Sequence, residues 1–165
     1  MYDFTANTDQ PKGDLYHDLR EAAVALTAGE PDTIANMANV AALIWQFLPN
    51  LNWAGFYRMV AGELVLGPFI GKPACIRIPL GRGVCGTAAA TGETQLVADV
   101  HAFPGHIACD AVSASELVVP IMCAGRVVAV IDLDSPVVAR FDADDAAGIE
   151  ALALAIGGCI CHAED

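Results

Sequence analysis

Three of the six cysteines lie where a thiol would be accessible to a substrate. Cys109 lies in the stretch 99–114, which has no clear periodicity, Cys75 lies in a glycine- and proline-marked loop, and Cys85 lies in the glycine-rich stretch 81–87. A thiolate is both a nucleophile and a redox group, so these three are candidates for covalent or redox chemistry. Inert packing is the alternative for each. A helix predicted to start near Cys85 favours the thiolate there.

The other three cysteines, Cys123, Cys159 and Cys161, are expected to have no catalytic role. The chain has no CxxC pair, and its one metal-like spacing, His106 with Cys109, is weak. Because structural disulfides are rare in a reducing compartment, we expect these cysteines as free thiols.

Two aspartates form the second candidate group. Asp132 and Asp134 flank Leu133 after an apolar strand, and the two-residue period of a strand places both carboxylates on one face. Glu116 begins the preceding strand and joins them if the hairpin is in register. Either this face is exposed to solvent, or the carboxylates meet a cation, a metal or a shared proton. Clustering would raise at least one pKa and keep that group able to donate a proton.

Trp53 and Tyr57 lie on the same face of a predicted strand, two positions either side of Gly55. Such a pair with a gap forms a small pocket wall, or it is an ordinary pair of core aromatics.

Helices and strands must position these residues. We predict a helix from Asp14 that ends before Gly29, and a second helix, capped by Asp32, whose apolar stripe starts at Ile34. A short helix over 84–90 and a final helix capped by Asp142 follow, the latter with Ile149, Leu152, Ile156 and Ile160 on its apolar face. Strands are predicted over 52–60, 63–69, 77–80, 94–98, 116–122 and 127–133.

This order of elements predicts an α+β domain, in which helices pack on an antiparallel sheet. The chain has 165 residues, so we expect a single domain over 14–165 after a flexible lead-in over 1–13. The net charge of −12 argues against nucleic-acid and anionic-membrane partners. The polar N-terminus lacks the apolar core of a signal peptide, and we expect a cytoplasmic protein.

Several segments, in this order, resemble the free methionine-(R)-sulfoxide reductases, a family with the GAF fold. They span roughly residues 14–158, nearly the whole chain. The matching segments are NWAGFY at 52–57, LGPF at 66–69, CIRIPLGRGVCGTA at 75–88, HIACDA at 106–111, SELVVP at 115–120 and IDLDSP at 131–136. The resemblance implies a GAF domain with a central antiparallel sheet of about six strands and N- and C-terminal helices, commonly as a homodimer.

The resemblance also implies roles for matching residues. Cys109 would be the nucleophile, with Cys75 and Cys85 as resolving or recycling thiols. Three carboxylates (Glu116, Asp132 and Asp134) would line the polar end of the pocket, and two aromatics (Trp53 and Tyr57) would enclose the S-methyl end. No bound cofactor or metal is implied. Thioredoxin, itself reduced by NADPH and thioredoxin reductase, would be the external reductant.

Three alternatives remain at this point. GAF domains also serve as non-catalytic modules that sense small molecules. A metal site could be built from Glu116, Asp132, Asp134 and His106. A purely structural protein would leave the loop cysteines and paired aspartates without a role.

Overall fold

A computed structural model describes residues 4–105 and 111–161. Over these ranges the chain forms a six-stranded antiparallel sheet with the strand order β3-β2-β1-β6-β5-β4 and four α-helices. The helices are α1 (Lys12–Thr27), α2 (Thr33–Phe47), α3 (Gly83–Thr91) and α4 (Ala143–Ile160). The strands are β1 (Trp53–Val60), β2 (Glu63–Gly71), β3 (Arg77–Ile78), β4 (Gln95–Val97), β5 (Ser115–Cys123) and β6 (Arg126–Ser135). The α+β, six-stranded prediction is confirmed.

Two of the helices begin at the capping residues that the sequence predicted. The Asp32 carboxylate accepts from the Ala35 backbone N–H, and Asp142 forms a capping box with Asp145. Helix α1 begins at Lys12, inside the stretch predicted as a lead-in. The segment predicted as a loop over 99–114 contains a short 3₁₀ helix, Val100–Ala102.

The apolar stripe predicted for α2 was wrong at its start. Ile34 is 43% exposed, whereas Thr33 and Asn36 are buried. Asn36 can occupy the inner face because its Nδ2 donates to the Glu30 carbonyl at 3.0 Å. From Met37 onward the predicted stripe is buried.

The sheet separates two apolar clusters. Side chains such as Phe56, Leu117 and Ile131 point to one face, where α1, α2 and α4 cover them. We call this side the helix layer. Alternate residues, including Tyr57 and Val118, point to the other face, where α3 and the loops pack. We call this side the site layer.

A buried acid fastens α1 to α4. Asp145 is 1% exposed, and it accepts from the Tyr16 hydroxyl at 2.8 Å and from Lys12 at 2.7 Å. Arg140 adds a third donor at 3.3 Å. Gly148 lies one turn further along α4, and a Cβ there would overlap the ring of Tyr16. The negative charge of Asp145 is therefore paired with two cations. At Gly148, α1 and α4 pack closely.

The expectation of free thiols was wrong for two cysteines. Cys123, at the end of β5, forms a disulfide with Cys161, just after α4, and the Cα atoms are 5.6 Å apart. This disulfide was not predicted because the partners are 38 positions apart and meet only when α4 packs on β5. Cys159 is a free thiol packed against the helix-layer cluster. Among the described residues, no helix is both long enough and apolar enough to cross a bilayer.

Candidate functional site

Strand register brings the three predicted carboxylates together on the site layer. Asp134 of β6 lies opposite Trp53 of β1 on one side and opposite Glu116 of β5 on the other. Two residues along, Asp132 lies opposite Gly55. The condition set by the sequence, that the β5–β6 hairpin be in register, is met. The three acids therefore lie on two neighbouring strands, β5 and β6, beside the strand β1 that carries the aromatic residues.

These acids are mostly withdrawn from solvent. Glu116 and Asp132 are each 6% exposed, which contradicts a simple solvent-facing interpretation of the pair, and Asp134 is half-buried. The Cys85 thiol points at Glu116, with 3.9 Å between Sγ and Oε1. Within the described ranges, Oδ1 of Asp132 has no hydrogen-bond partner. A buried carboxylate oxygen without a donor is a costly arrangement that a bound cationic or protic group would relieve.

The electrostatics follow from this burial. Burial raises the pKa of Glu116 well above its usual value, and the charges of Asp132 and Asp134 add to the shift. Burial also raises the pKa of Asp132, to about 6, while hydrogen bonds from Cys85 and Glu116 oppose the rise. Burial and the neighbouring charges therefore both favour the protonated form of Glu116.

The expectation of a thiolate at Cys85 was wrong. Its position in the first turn of α3 is as expected, since the helix starts at Gly83. However, burial raises the pKa of Cys85 well above its usual value, and the charges of Asp132 and Glu116 raise it further. Desolvation and two nearby acids outweigh the helix terminus, so Cys85 is a neutral thiol.

The aromatic wall has three members rather than two. Trp53 stacks on Tyr57 with 5.9 Å between ring centroids, as the sequence analysis allowed. It also stacks on Phe69 of β2, with 5.2 Å between centroids and 11° between planes. Phe69 belongs to a matching segment but received no role from the sequence. The β1–β2 register shifts by one residue between Gly55 and Tyr57, which brings Phe69 onto this face.

Of the two remaining candidate thiols, Cys75 lies within the described residues and Cys109 does not. Cys75 is half-buried and packs against the cluster that includes Trp53, Tyr57 and Cys85. Cys109 and His106 lie outside the described residues.

The described residues offer one possible metal-binding set, and it differs from the set that the sequence suggested, whose His106 lies outside them. In the described part of the chain, ligand atoms of Cys85, Glu116 and Asp132 lie within 4.8 Å of one another. Cys85 would have to lose its proton to bind a metal, and the raised pKa of Glu116 opposes ionisation of that ligand as well. The arrangement suits proton sharing and the binding of an organic cation.

Comparisons with known proteins bear on the same geometry. The family model described as GAF domain matches residues 25–160. Free methionine-R-sulfoxide reductase of Escherichia coli is 50% identical over 141 residues, 86% of each chain. The Saccharomyces cerevisiae protein of the same name is 44% identical, over 88% of this chain and 85% of its own. A crystal structure of free methionine-R-sulfoxide reductase from Neisseria meningitidis in complex with its substrate superimposes with a TM-score of 0.92 at 41% identity, covering 98% of this chain and 97% of the other.

Proposed function

The chain belongs to the GAF-domain family and groups with its free methionine-R-sulfoxide reductases, and we propose that it reduces free L-methionine-(R)-S-oxide to L-methionine by cysteine thiol chemistry. The observation that carries the proposal is one face of the sheet. There, three clustered carboxylates adjoin an aromatic wall and two thiols, Cys75 and Cys85.

Cys109 is the proposed nucleophile, on the basis of the sequence. Its thiolate attacks the sulfoxide sulfur while the oxygen takes up a proton. The hydroxyl then passes to the Cys109 sulfur as the bond to the substrate sulfur breaks, which releases methionine and leaves a sulfenic acid on Cys109. A second thiol then attacks the sulfenic sulfur, which forms a disulfide and releases water. We assign this step to Cys75. The half-buried Cys75 is more accessible than Cys85, which is 4% exposed.

Glu116 is the proposed proton donor. A sulfoxide sulfur becomes electrophilic when its oxygen is protonated, and the raised pKa of Glu116 favours the protonated carboxyl that can supply this proton. Cys85 donates to Glu116 over 3.9 Å, and this hydrogen bond lowers the pKa of Glu116, but burial and the neighbouring acids outweigh it.

The other two carboxylates are proposed to hold the substrate. Asp132 and Asp134 face the same space, and the unpaired Oδ1 of Asp132 suits the α-ammonium group of a free amino acid. Trp53 and Tyr57 would enclose the S-methyl end by apolar contact. A methionine sulfoxide residue within a polypeptide carries an amide in place of the ammonium group, so this site would reject it.

The rest of the cycle completes the proposal. Thioredoxin, reduced by NADPH and thioredoxin reductase, opens the disulfide by thiol exchange, and no bound cofactor is needed for these steps. We place the protein in the cytoplasm, where this reductant is available.

The chain is also proposed to form a homodimer. Leu154 of α4 is 85% exposed, and Met122 of β5 is 45% exposed. Both line one groove at the β5–α4 edge. Exposed apolar side chains that share a groove favour a protein contact. Light scattering of the wild type and of Leu154→Glu tests this: we expect a dimer that the substitution dissociates.

The reaction is tested by NADPH consumption with thioredoxin and thioredoxin reductase. Free methionine-R-sulfoxide, the S epimer and a peptide-bound sulfoxide are compared, with wild type and Cys109→Ser. We expect turnover of the free R epimer alone, and none in the variant. Binding of the sulfoxide without turnover, with thiols confirmed reduced, would instead indicate a sensing module.

A further inference from the structure

The segment that carries Cys75 is held at both ends. It joins β2 to β3, and we call residues 72–76 the Cys75 loop. At its start, Nε1 of Trp53 donates to the carbonyl oxygen of Lys72 at 3.2 Å. At its end, the Leu66 backbone N–H donates to the carbonyl oxygen of Ile76 at 2.9 Å. Between these two anchors the loop has only three residues, so their positions limit where the Cys75 thiol can lie.

The first anchor is reinforced by close packing. Gly71 precedes the loop with φ of +139°, and a Cβ at this position would lie 2.6 Å from Cδ1 of Trp53. The indole edge therefore rests directly on the backbone where the loop begins. Only glycine permits both this backbone angle and this approach.

The indole is itself fixed from its faces. Trp53 stacks on Phe69 and on Tyr57, with interplanar angles of 11° and 21°. One side chain therefore belongs to two structures, the aromatic wall of the site and the anchor of the Cys75 loop.

We propose that Trp53 is a positioning residue for Cys75, because its indole N–H fixes the loop from which that thiol resolves the sulfenic acid. The inference rests on the proposed function for the role of Cys75. The hydrogen bond from Trp53 to the Lys72 carbonyl does not depend on that function, because it is present without substrate. Displacement of the indole would move the Cys75 loop, so substrate contact and disulfide formation depend on the same ring.

The experiment is pulse labelling of the reduced protein with N-ethylmaleimide, with each cysteine quantified by mass spectrometry. Trp53→Phe keeps an aromatic ring but removes the N–H donor. We expect Cys75 to be labelled about three- to ten-fold faster, the range for loss of one hydrogen bond. Cys159, a free half-buried thiol in the helix layer, is the internal control and should not change.

Three further variants make the result specific. Phe69→Leu weakens the ring stack but leaves the N–H donor, so Cys75 labelling should stay within about two-fold of wild type, less than the change for a lost hydrogen bond. Gly71→Ala should accelerate Cys75 labelling as Trp53→Phe does. Gly62→Ala, also at positive φ but with no atom within 4 Å of a new Cβ, should not. Equal acceleration at Cys75 and Cys159 would indicate general loosening and overturn the proposal, as would an unchanged Cys75 in Trp53→Phe.

A second readout follows the chemistry. In a single turnover at saturating methionine-R-sulfoxide, we expect Trp53→Phe to accumulate sulfenic acid that dimedone traps, with fewer disulfides per methionine formed than in Phe69→Leu. If wild type forms no methionine at all, the proposed function fails. The labelling result still decides the anchor, because it needs no substrate.

Discussion

Gly55 of β1 is paired with Phe69 of β2, and a Cβ on Gly55 would lie 2.7 Å from the Cα of Phe69. No real side chain tolerates this separation. On its other side, Gly55 is paired with Asp132 of β6. The missing side chain thus lets the aromatic wall and the carboxylates approach each other in the middle of the sheet.

Gly55→Ala should therefore damage both fold and site. We expect a loss of about 1–3 kcal/mol in the free energy of unfolding, as for an overpacked core. The KM for methionine-R-sulfoxide should rise because Phe69 and Asp132 are pushed apart. Gly13→Ala, where a Cβ meets nothing within 4 Å, is the control: it should leave KM unchanged and leave stability unchanged or slightly raised. Normal stability of Gly55→Ala in thermal unfolding would contradict this packing.

Glu116→Gln should remove the proton donor while keeping the shape of the side chain. Since the protonated acid is required, wild-type kcat should fall as pH rises through the raised pKa of Glu116. We expect kcat of the variant to be roughly 10²- to 10⁴-fold lower, the usual contribution of general acid catalysis. Its alkaline limb should also be absent. A variant that keeps the wild-type pH profile would assign the proton to another group.

Asp132→Asn should raise the stability of the protein and weaken its binding of substrate. The pKa of Asp132 is raised from 3.8 to about 6, so the folded state holds this proton more tightly than the unfolded state. The stabilisation of the folded state by this proton is therefore present at low pH and is lost as pH rises from near 4 through about 6. At neutral pH we expect the variant to melt about 4–8 °C higher, as expected for roughly 2 kcal/mol. The two proteins should converge in acid.

The same Asp132→Asn variant should bind methionine-R-sulfoxide more weakly, because a carboxylate near the ammonium group is lost. Calorimetry across pH and a titration with substrate measure the two effects separately. Equal melting temperatures at neutral pH would mean that the carboxylate is compensated in the free protein.

The Cys123–Cys161 disulfide should stabilise the helix layer under oxidising conditions. Closing a loop of this length gives about 4 kcal/mol by the chain-entropy model. We expect the double variant Cys123→Ala, Cys161→Ala to melt roughly 8–15 °C lower than the oxidised wild type, from the usual scaling for this size. Dithiothreitol should lower the melting temperature of the wild type toward that of the variant, and it should leave the melting temperature of the variant unchanged. If reductant did not change the melting temperature of the wild type, the disulfide would make no contribution to stability.

Gly148→Ala should separate α1 from α4. The added methyl group would overlap the Tyr16 ring, and moving that ring breaks the hydroxyl contact to the buried Asp145. We expect a loss of about 2–4 kcal/mol by thermal unfolding, from overpacking together with a weakened buried hydrogen bond. Gly158→Ala, on the same helix with nothing within 4 Å, should be neutral or stabilising. Equal effects of the two substitutions would show that helix propensity, not the Tyr16 contact, decides the outcome.

The sequence predicted most of the fold because its local signals agree. Two-residue alternation located β1, two apolar segments joined by the turn at 123–125 located β5 and β6, and Asp142 located the start of α4. It also placed Asp132 and Asp134 on one face, and hairpin register then added Glu116. These features depend on neighbours along the chain or across one turn.

The features that the sequence did not predict depend on longer-range geometry. Counting back from the Ala61–Gly62 turn pairs Phe69 with Ala54, on the helix layer. The one-residue shift pairs it with Gly55 instead. The neutral state of Cys85 was missed because it depends on two strands distant in sequence. The exposure of Ile34 depends on how α2 is rotated against the sheet.

The division of the core by the sheet has a practical meaning for protein engineering. The helix-layer cluster and the site-layer cluster are built from alternate residues of the same strands. A designer can therefore repack α1, α2 and α4 for a heat-tolerant biocatalyst without replacing any residue that faces the substrate. Such redesign must stop at the strand residues of the helix layer, such as Phe56 and Leu133, because their chain neighbours face the site layer. A volume change there would shift the backbone that holds Tyr57 and Asp132.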